Sequence, residues 1–191
     1  MKGLRSTVIF FSGLSGAGKS TLSTLLKTHY ESQGQAVTCL DGDILRGLLS
    51  SDLGFSRRDR ELNLQRAAYV AGEVVSHGGL AICAMIAPYH QARQQAREYI
   101  ENKGGCFVEV YLNTPLTTCE ARDPKGMYAQ ARKGVIKDFT GVDSPFEAPE
   151  SPDITINTAQ QTQQQSLHYL LTELEPLLNN NIRLVSPRLG K

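Results

Sequence analysis

The chain has almost no net charge. Twenty Lys and Arg stand against nineteen Asp and Glu in 191 residues. That balance supplies no field for a polyanion, so a DNA- or RNA-binding module is disfavoured and any phosphate must be held by local donors. There is no apolar run near the ~18–20 residues of a membrane span, so no membrane association is expected. Met1 to Arg5 is too short for a signal peptide. Cysteine is scarce and unpaired in pattern: Cys39, Cys83, Cys106 and Cys119 form no CxxC motif. Three of them lie in apolar runs, so buried reduced thiols in a cytoplasmic protein are expected rather than disulfides or a metal site. His29, His77 and His168 lie in or beside helical stretches without a metal-like partner. No internal repeat is visible.

What is present is one core's worth of hydrophobic residues, 40% of the chain, in an alternating pattern. Short β-rich runs at Ser6 to Phe11, Ala36 to Leu40, Leu80 to Ile86 and Cys106 to Leu112 are apolar enough for burial on both faces. A weaker run spans Asp153 to Asn157. Helical stretches fall between and after them at Lys19 to Gln33, Arg58 to Ser76, His90 to Asn102 and Gln161 to Leu178. Glycines follow the first two as stop signals. Alternation of this kind predicts an α/β fold: five parallel strands in one sheet, with helices on both faces in three layers. One domain is expected over residues 1–178, followed by a polar, basic tail at 179–191. Residues 122–152 break the alternation. They carry five basic residues among prolines and glycines, which suits a mobile lid that excludes water from a phosphate site.

The chemistry centres on Gly13 to Thr21, G-L-S-G-A-G-K-S-T, which fits G-x-x-x-x-G-K-[ST] between a strand and a helix. Glycine at 13, 16 and 18 permits close backbone approach, so the loop N–H groups form an anion nest at a helix N-terminus. Lys19 reaches β- and γ-phosphates and the Ser20 hydroxyl can ligate Mg²⁺. The motif alone does not separate a kinase from a GTPase, an ATPase or a switch protein. The second strand ends in L-D-G-D, with Arg46 beyond. If that strand neighbours the first, Asp41 and Asp43 face the γ-phosphate, where a carboxylate holds Mg²⁺ through water or accepts a proton from an attacking hydroxyl. Asp43 could instead merely cap the next helix, a role that suits Asp41 poorly. Ser56 reads as an N-cap in a capping box with Asp59. Arg60 and Asn63 then share a helix face suited to an anion, with Arg66 drifting from it; a solvated surface is the plainer alternative.

Taken in order, these strings resemble the adenosine 5'-phosphosulfate (APS) kinase family. The carriers are G-L-S-G-A-G-K-S-T, L-D-G-D-x-x-R, L-G-F-S-x-x-D-R-x-x-N, the P-Y at Pro88-Tyr89, E-A-R-D-P-K-G-M-Y and I-K-D-F-T-G-V-D-S-P-F-E-A-P, from Val8 to about Thr158. The resemblance implies transfer of the γ-phosphoryl of MgATP to the 3'-hydroxyl of APS, giving 3'-phosphoadenylyl sulfate (PAPS) and ADP. It implies a P-loop kinase fold, a homodimer, and association with ATP sulfurylase. Carried onto this chain, ATP phosphates fall to Gly13, Ser15, Gly16, Ala17, Gly18, Lys19, Ser20 and Thr21. Arg122 and the segment after Asn157 flank the ATP adenine. Phe55 and Phe139 sandwich the APS adenine. Arg46, Arg60 and Asn63 hold its phosphosulfate, with Ile86 and Lys137 nearby. Asp41 becomes the metal-side carboxylate and candidate base, Asp43 sits beside the acceptor ribose, and Lys19 completes the catalytic set.

The chain departs from the family at three of these positions: Ala87 replaces a usual serine, His90 a usual Arg or Lys, and Asp138 a usual glycine. Two other readings follow. One is another small-molecule kinase of this fold, of the shikimate or gluconate type. The other is a catalytically weak nucleotide-binding domain that regulates a sulfate-activating complex.

Overall fold

The computed structural model describes residues 6–182. Five strands form one all-parallel sheet: β1 (Thr7–Ser12), β2 (Val37–Asp41), β3 (Leu80–Ala84), β4 (Cys106–Leu112) and β5 (Ile154–Ile156), in spatial order β2-β3-β1-β4-β5. Seven helices accompany them: α1 (Lys19–Ser32), α2 (Gly42–Leu48), α3 (Arg57–Ser76), α4 (His90–Asn102), α5 (Leu116–Arg122), α6 (Met127–Arg132) and α7 (Gln163–Ile182).

The two-sided burial read from the strands holds for β1, β3 and most of β4, whereas β2, at the sheet edge, fully buries only Leu40 and β5 leaves Thr155 exposed. Ile9 and Phe11 enter one core beneath α1 and α7. Val8 and Phe10 enter a second core with α3 and α4, where Phe10 stacks on Phe107 at 5.3 Å. Every residue of β1 is buried. Successive side chains of a strand alternate faces, so a strand covered by helices on both sides must be apolar throughout. Each large side chain buried there contributes about 1.5–3 kcal/mol.

Three expectations need correction. First, the condition set for Asp41 and Asp43 is not met, since β2 does not neighbour β1. β3 lies between them and pairs with both, Ile9 opposite Ile82 and Cys39 opposite Ile82. The chain leaves β1, skips a position, and returns to fill it, a choice that right-handed crossovers permit and local patterns do not specify. Second, α2, α5 and α6 were not expected; each has seven residues or fewer, too short for a 3.6-residue period to show. The lid region therefore contains α6 and the end of α5. Third, α7 continues past Leu178 to Ile182. The remainder of the polar tail lies outside the described residues.

β1 sits at the sheet's switch point: its successor in the chain lies to one side and β4 to the other. Ligands of open α/β sheets bind at the carboxyl edge of such a strand. Among the described residues, no helix is long and apolar enough to cross a membrane. None of the four cysteines is in a disulfide, and burial pushes the Cys83 thiol up to about 12, which makes it inert.

Candidate active site

The loop after β1 turns abruptly. Gly13 has φ +143°, and a Cβ there would stand 2.8 Å from the Leu112 carbonyl oxygen. At Gly16, φ +73°, a Cβ would meet the Cys119 carbonyl oxygen at 3.0 Å. The loop is thus seated directly on β4 and α5, which only glycine allows.

Five successive carbonyls of this loop are tied down by side chains. Lys19 Nζ donates to Gly13 O at 2.9 Å and Leu14 O at 2.7 Å. The Tyr128 hydroxyl donates to Ser15 O at 3.0 Å, and Arg122 to Gly16 O at 3.2 Å. Thr158 donates to Ala17 O at 2.8 Å, and Thr114 at 3.3 Å. A trans peptide points its N–H opposite to its C=O. Holding a carbonyl therefore fixes the next amide: Ala17 N turns back onto Leu14 O at 3.2 Å, while the Gly16 and Gly18 amides are set opposite the held Ser15 and Ala17 carbonyls, as an anion nest requires.

The loop opens into a cleft of about 800 Å³. Its walls include Ser15, Gly16, Gly18, Lys19, Ser20, Thr21, Asp41, Asp43, Arg46, Phe55, Arg60, Asn63, Ile86, Arg122, Lys137 and Phe139. Gly13 and Ala17 stand behind the wall, and act through their backbones. Arg66 is elsewhere. It donates to Leu49 O at 2.7 Å and pairs with Asp52, bracing the turn after α2. The cleft walls carry six basic residues (Lys19, Arg46, Arg60, Arg122, Lys125, Lys137) and two acids, Asp41 and Asp43. A chain with a net charge of only +1 thus concentrates its positive field where an anion would lie.

Asp41 and Ser20 meet although their strand and loop are not sheet neighbours. Ser20 Oγ donates to Asp41 Oδ2 at 2.6 Å. α1 begins at the centre of the sheet and packs over β2 and β3, which carries its first turn toward the end of β2. The capping role weighed as an alternative for Asp43 falls to Asp41 instead. Asp41 is the N-cap of α2, its Oδ1 accepting from Asp43 N at 2.9 Å, and Asp43 lies in the first turn. Asp43 pairs instead with Lys125. Lys125 was missed by sequence reasoning. It stands inside the D-P-K-G-M-Y string, and only the fold of the segment after α5 shows that it reaches the acid pair.

Ser56 caps α3 as expected, accepting from Asp59 N at 3.2 Å; Asp59 in turn takes the Ser56 hydroxyl at 2.8 Å. The cap turns the Arg60 and Asn63 face into the cleft. Arg60 spans the opening: Nε donates to Phe55 O at 2.8 Å and Nη2 to Asp138 O at 2.6 Å. One guanidinium therefore ties the Phe55 turn to the residue preceding Phe139. Arg46 donates to Gly54 O at 2.7 Å and lies over the Phe55 ring at 4.6 Å. The two rings are unequal. Phe55 is 49% exposed, whereas Phe139 is 4% exposed and meets Tyr128 edge-on. Asn63 is buried, and its Oδ1 has no hydrogen-bond partner. An orphaned acceptor in a cleft wall costs about 1–3 kcal/mol until a donor reaches it.

The departures have local accounts. Asp138 adopts φ +56°, a left-handed conformation that suits glycine and that Asp tolerates better than most residues. Ala87 adopts φ +45°, and His90 opens α4 with its backbone N–H held by Glu147 at 2.7 Å.

Burial pushes the Lys19 ammonium down to about 8, against the raising influence of Asp43 and Asp41. Ser20 and Asp41 offer a hydroxyl and a carboxylate oxygen side by side, a hard-donor set that fits Mg²⁺. That ion takes few protein ligands and completes its shell with phosphate and water. Among the described residues no group of three or more His, Cys, Asp or Glu is placed to hold a metal, so a zinc-type centre finds no ligand set there.

A family model described as adenylylsulphate kinase matches residues 5–157. The adenylyl-sulfate kinase of Paraburkholderia xenovorans (strain LB400) is 47% identical over 174 residues, covering 91% of this chain and 96% of that protein. A sulfate adenylyltransferase of Emericella nidulans is 44% identical over 175 residues, 91% of this chain but 30% of that protein. The solved APS kinase of Mycobacterium tuberculosis, in complex with AMPPNP and APS, superposes with a TM-score of 0.86. It is 40% identical, over 90% of this chain and 98% of that one.

Proposed function

The chain belongs to the adenylylsulphate kinase family, and from that premise we propose that it transfers the γ-phosphoryl group of MgATP to the 3'-hydroxyl of APS, releasing PAPS and ADP. One observation carries the reading. A single basic cleft joins the glycine-rich phosphate loop to a second wall bearing Phe55, Arg46, Arg60 and Asn63. A site for one nucleotide triphosphate has no use for the second wall.

In this reading the loop amides and Lys19 hold the β- and γ-phosphates. Arg122, already fixed to Thr158 by bonds of 2.8 Å, flanks the ATP base. Ser20 and Asp41 would hold Mg²⁺, which when bound would neutralise charge on the phosphates. Asp43 lies beside the acceptor ribose and turns its hydroxyl toward the γ-phosphate, and Asp41, on the metal side, is the candidate base. Lys125 and Lys137 close over the anionic acceptor. Arg46, Arg60 and the Nδ2 amide of Asn63 take the phosphosulfate, with Ile86 beside them. The adenine of APS stacks on Phe55, with Phe139 as the buried wall opposite. Phosphoryl transfer asks little covalent chemistry of the protein, so positioning and charge carry the rate.

Phe55→Ala should weaken APS binding about 10-fold or more, because base stacking on an aromatic ring is worth ~1–3 kcal/mol. ATP binding should change less than twofold. Equal losses for the two nucleotides, measured by calorimetry, would contradict the assignment. Phe139→Ala is the poorer probe, since it also opens a cavity beneath Tyr128.

The same reading includes a homodimer, a cytoplasmic setting and association with ATP sulfurylase. The Emericella relative supports the last: a segment like this chain makes up 30% of a protein named for that activity. Four cysteines kept as thiols support the setting.

The deciding experiment is PAPS formation from purified chain, MgATP and APS, with an APS-free control. Equimolar, APS-dependent ADP and PAPS are expected. Nucleotide binding without turnover would sink the kinase reading in favour of a regulatory domain. Turnover with gluconate or shikimate but not APS would move the acceptor.

A further inference from the structure

Tyr128 touches both ends of the cleft. Its hydroxyl donates to Ser15 O at 3.0 Å, joining positions 113 residues apart. Its ring meets that of Phe139 edge-on, with centroids 4.9 Å apart and planes at 81°. The side chain is 2% exposed, so it has no freedom to leave one partner without disturbing the other. The helix that carries it is anchored at its start: Asp123 accepts from the N–H groups of Tyr128 and Ala129, each at 3.0 Å. The adjacent Arg122 holds Gly16 O. One segment, residues 122–128, therefore fixes two successive carbonyls of the phosphate loop. The Ser15 carbonyl and the Gly16 N–H belong to one planar peptide and point opposite ways. By holding the first outward, Tyr128 aims the second into the anion nest. Burial pushes the phenol pKa up, so the hydroxyl remains a donor at any working pH.

We propose that Tyr128 is a positioning residue that couples the two nucleotide subsites, holding the phosphate loop through its hydroxyl and the acceptor's aromatic wall through its ring. The proposal rests on the reading above, in which APS lies against Phe139. A ligand at either end orders this strut, and the ligand at the other end then meets a site already ordered, which makes the coupling positive and reciprocal.

The test uses the full chain and calorimetric titration of Mg-AMPPNP with and without saturating APS. In the wild type APS should tighten AMPPNP binding at least about fivefold. Tyr128→Phe keeps the ring contact and removes only the hydroxyl. It should weaken AMPPNP alone about fivefold, leave APS alone within twofold, and bring the coupling factor close to 1. Tyr128→Leu, which also loses the ring edge, should weaken APS as well. A purely structural role would lower the melting temperature while leaving the coupling factor intact. A further measurement needs no variant: APS alone should slow amide exchange in the loop peptide spanning residues 13–18. An unchanged coupling factor in Tyr128→Phe, a wild-type factor of 1, or unaltered loop exchange overturns the proposal. A wild type that binds neither ligand fails the kinase reading instead, so the two failures are distinct.

Discussion

Lys19→Ala is expected to lower turnover at least ~100-fold, a loss of about 3 kcal/mol of transition-state stabilisation. The side chain is buried, and its ammonium donates to the Gly13 and Leu14 carbonyls at 2.9 and 2.7 Å. Substitution removes both a cation aimed at the transferring group and a brace on the first turn of the loop. Steady-state kinetics with MgATP and APS measure it; near-normal kcat would refute the role. The same residue sets a pH dependence. Burial depresses the ammonium to about 8 in the free protein, so the charged form prevails below that pH and is lost above it. The value of kcat/KM for ATP reports the free protein and should fall as pH rises through about 8. Bound phosphates favour the charged form, so kcat should hold to higher pH. A kcat/KM that stays flat from pH 7 to 9 would contradict this account.

Arg93→Met should destabilise the fold by about 3–5 kcal/mol, because it strands a buried carboxylate. Arg93 Nε lies 3.0 Å from Glu109 Oε1, with side chains 3% and 10% exposed. Ser12 Oγ donates to the same carboxylate oxygen at 3.5 Å. Arg93 Nη1 donates to the Ala87 carbonyl at 2.8 Å, and Arg93 Nη2 has no hydrogen-bond partner. The pair is therefore a costly way to fill that space. Burial lifts the Glu109 pKa against the pull of Arg93 and Arg97, the mark of a carboxylate that needs its partner. The pair's service is positional: it fixes the left-handed Ala87 between β3 and α4, next to Ile86, whose carbonyl receives Gly13 N at 3.4 Å. The double variant Arg93→Met with Glu109→Leu should recover most of the stability in urea titrations and little of the turnover. A single variant within ~1 kcal/mol of wild type, or a double variant with full activity, would contradict the argument.

These expectations draw on different layers of information. β4 and α4 fall where the local pattern places them, Cys106–Leu112 and His90–Asn102. An apolar run that follows Gly104-Gly105, and a helix that starts after a Pro-Tyr pair, are written in adjacent residues. The phosphate loop is legible for the same reason: glycine spacing, the lysine and the helix start all lie within nine positions. The pairing of Phe55 and Phe139 in one cleft came from resemblance, and the inequality of the two rings from the fold. Strand order was not legible, since an apolar strand buried on both faces carries no label for its neighbour. The capping role of Asp41 was hidden because α2 is only seven residues long.

Composition and local pattern thus marked the five strands, the four longer helices and the loop suited to phosphate, because backbone preference and two-sided burial act between near neighbours. Tertiary packing alone decided that Lys125 reaches Asp43, that Arg93 props Ala87, and that Tyr128 grips Ser15 across 113 residues. Those contacts depend on the path the chain takes around the sheet. No short-range periodicity encodes that path, since it is chosen by the packing of all the elements together.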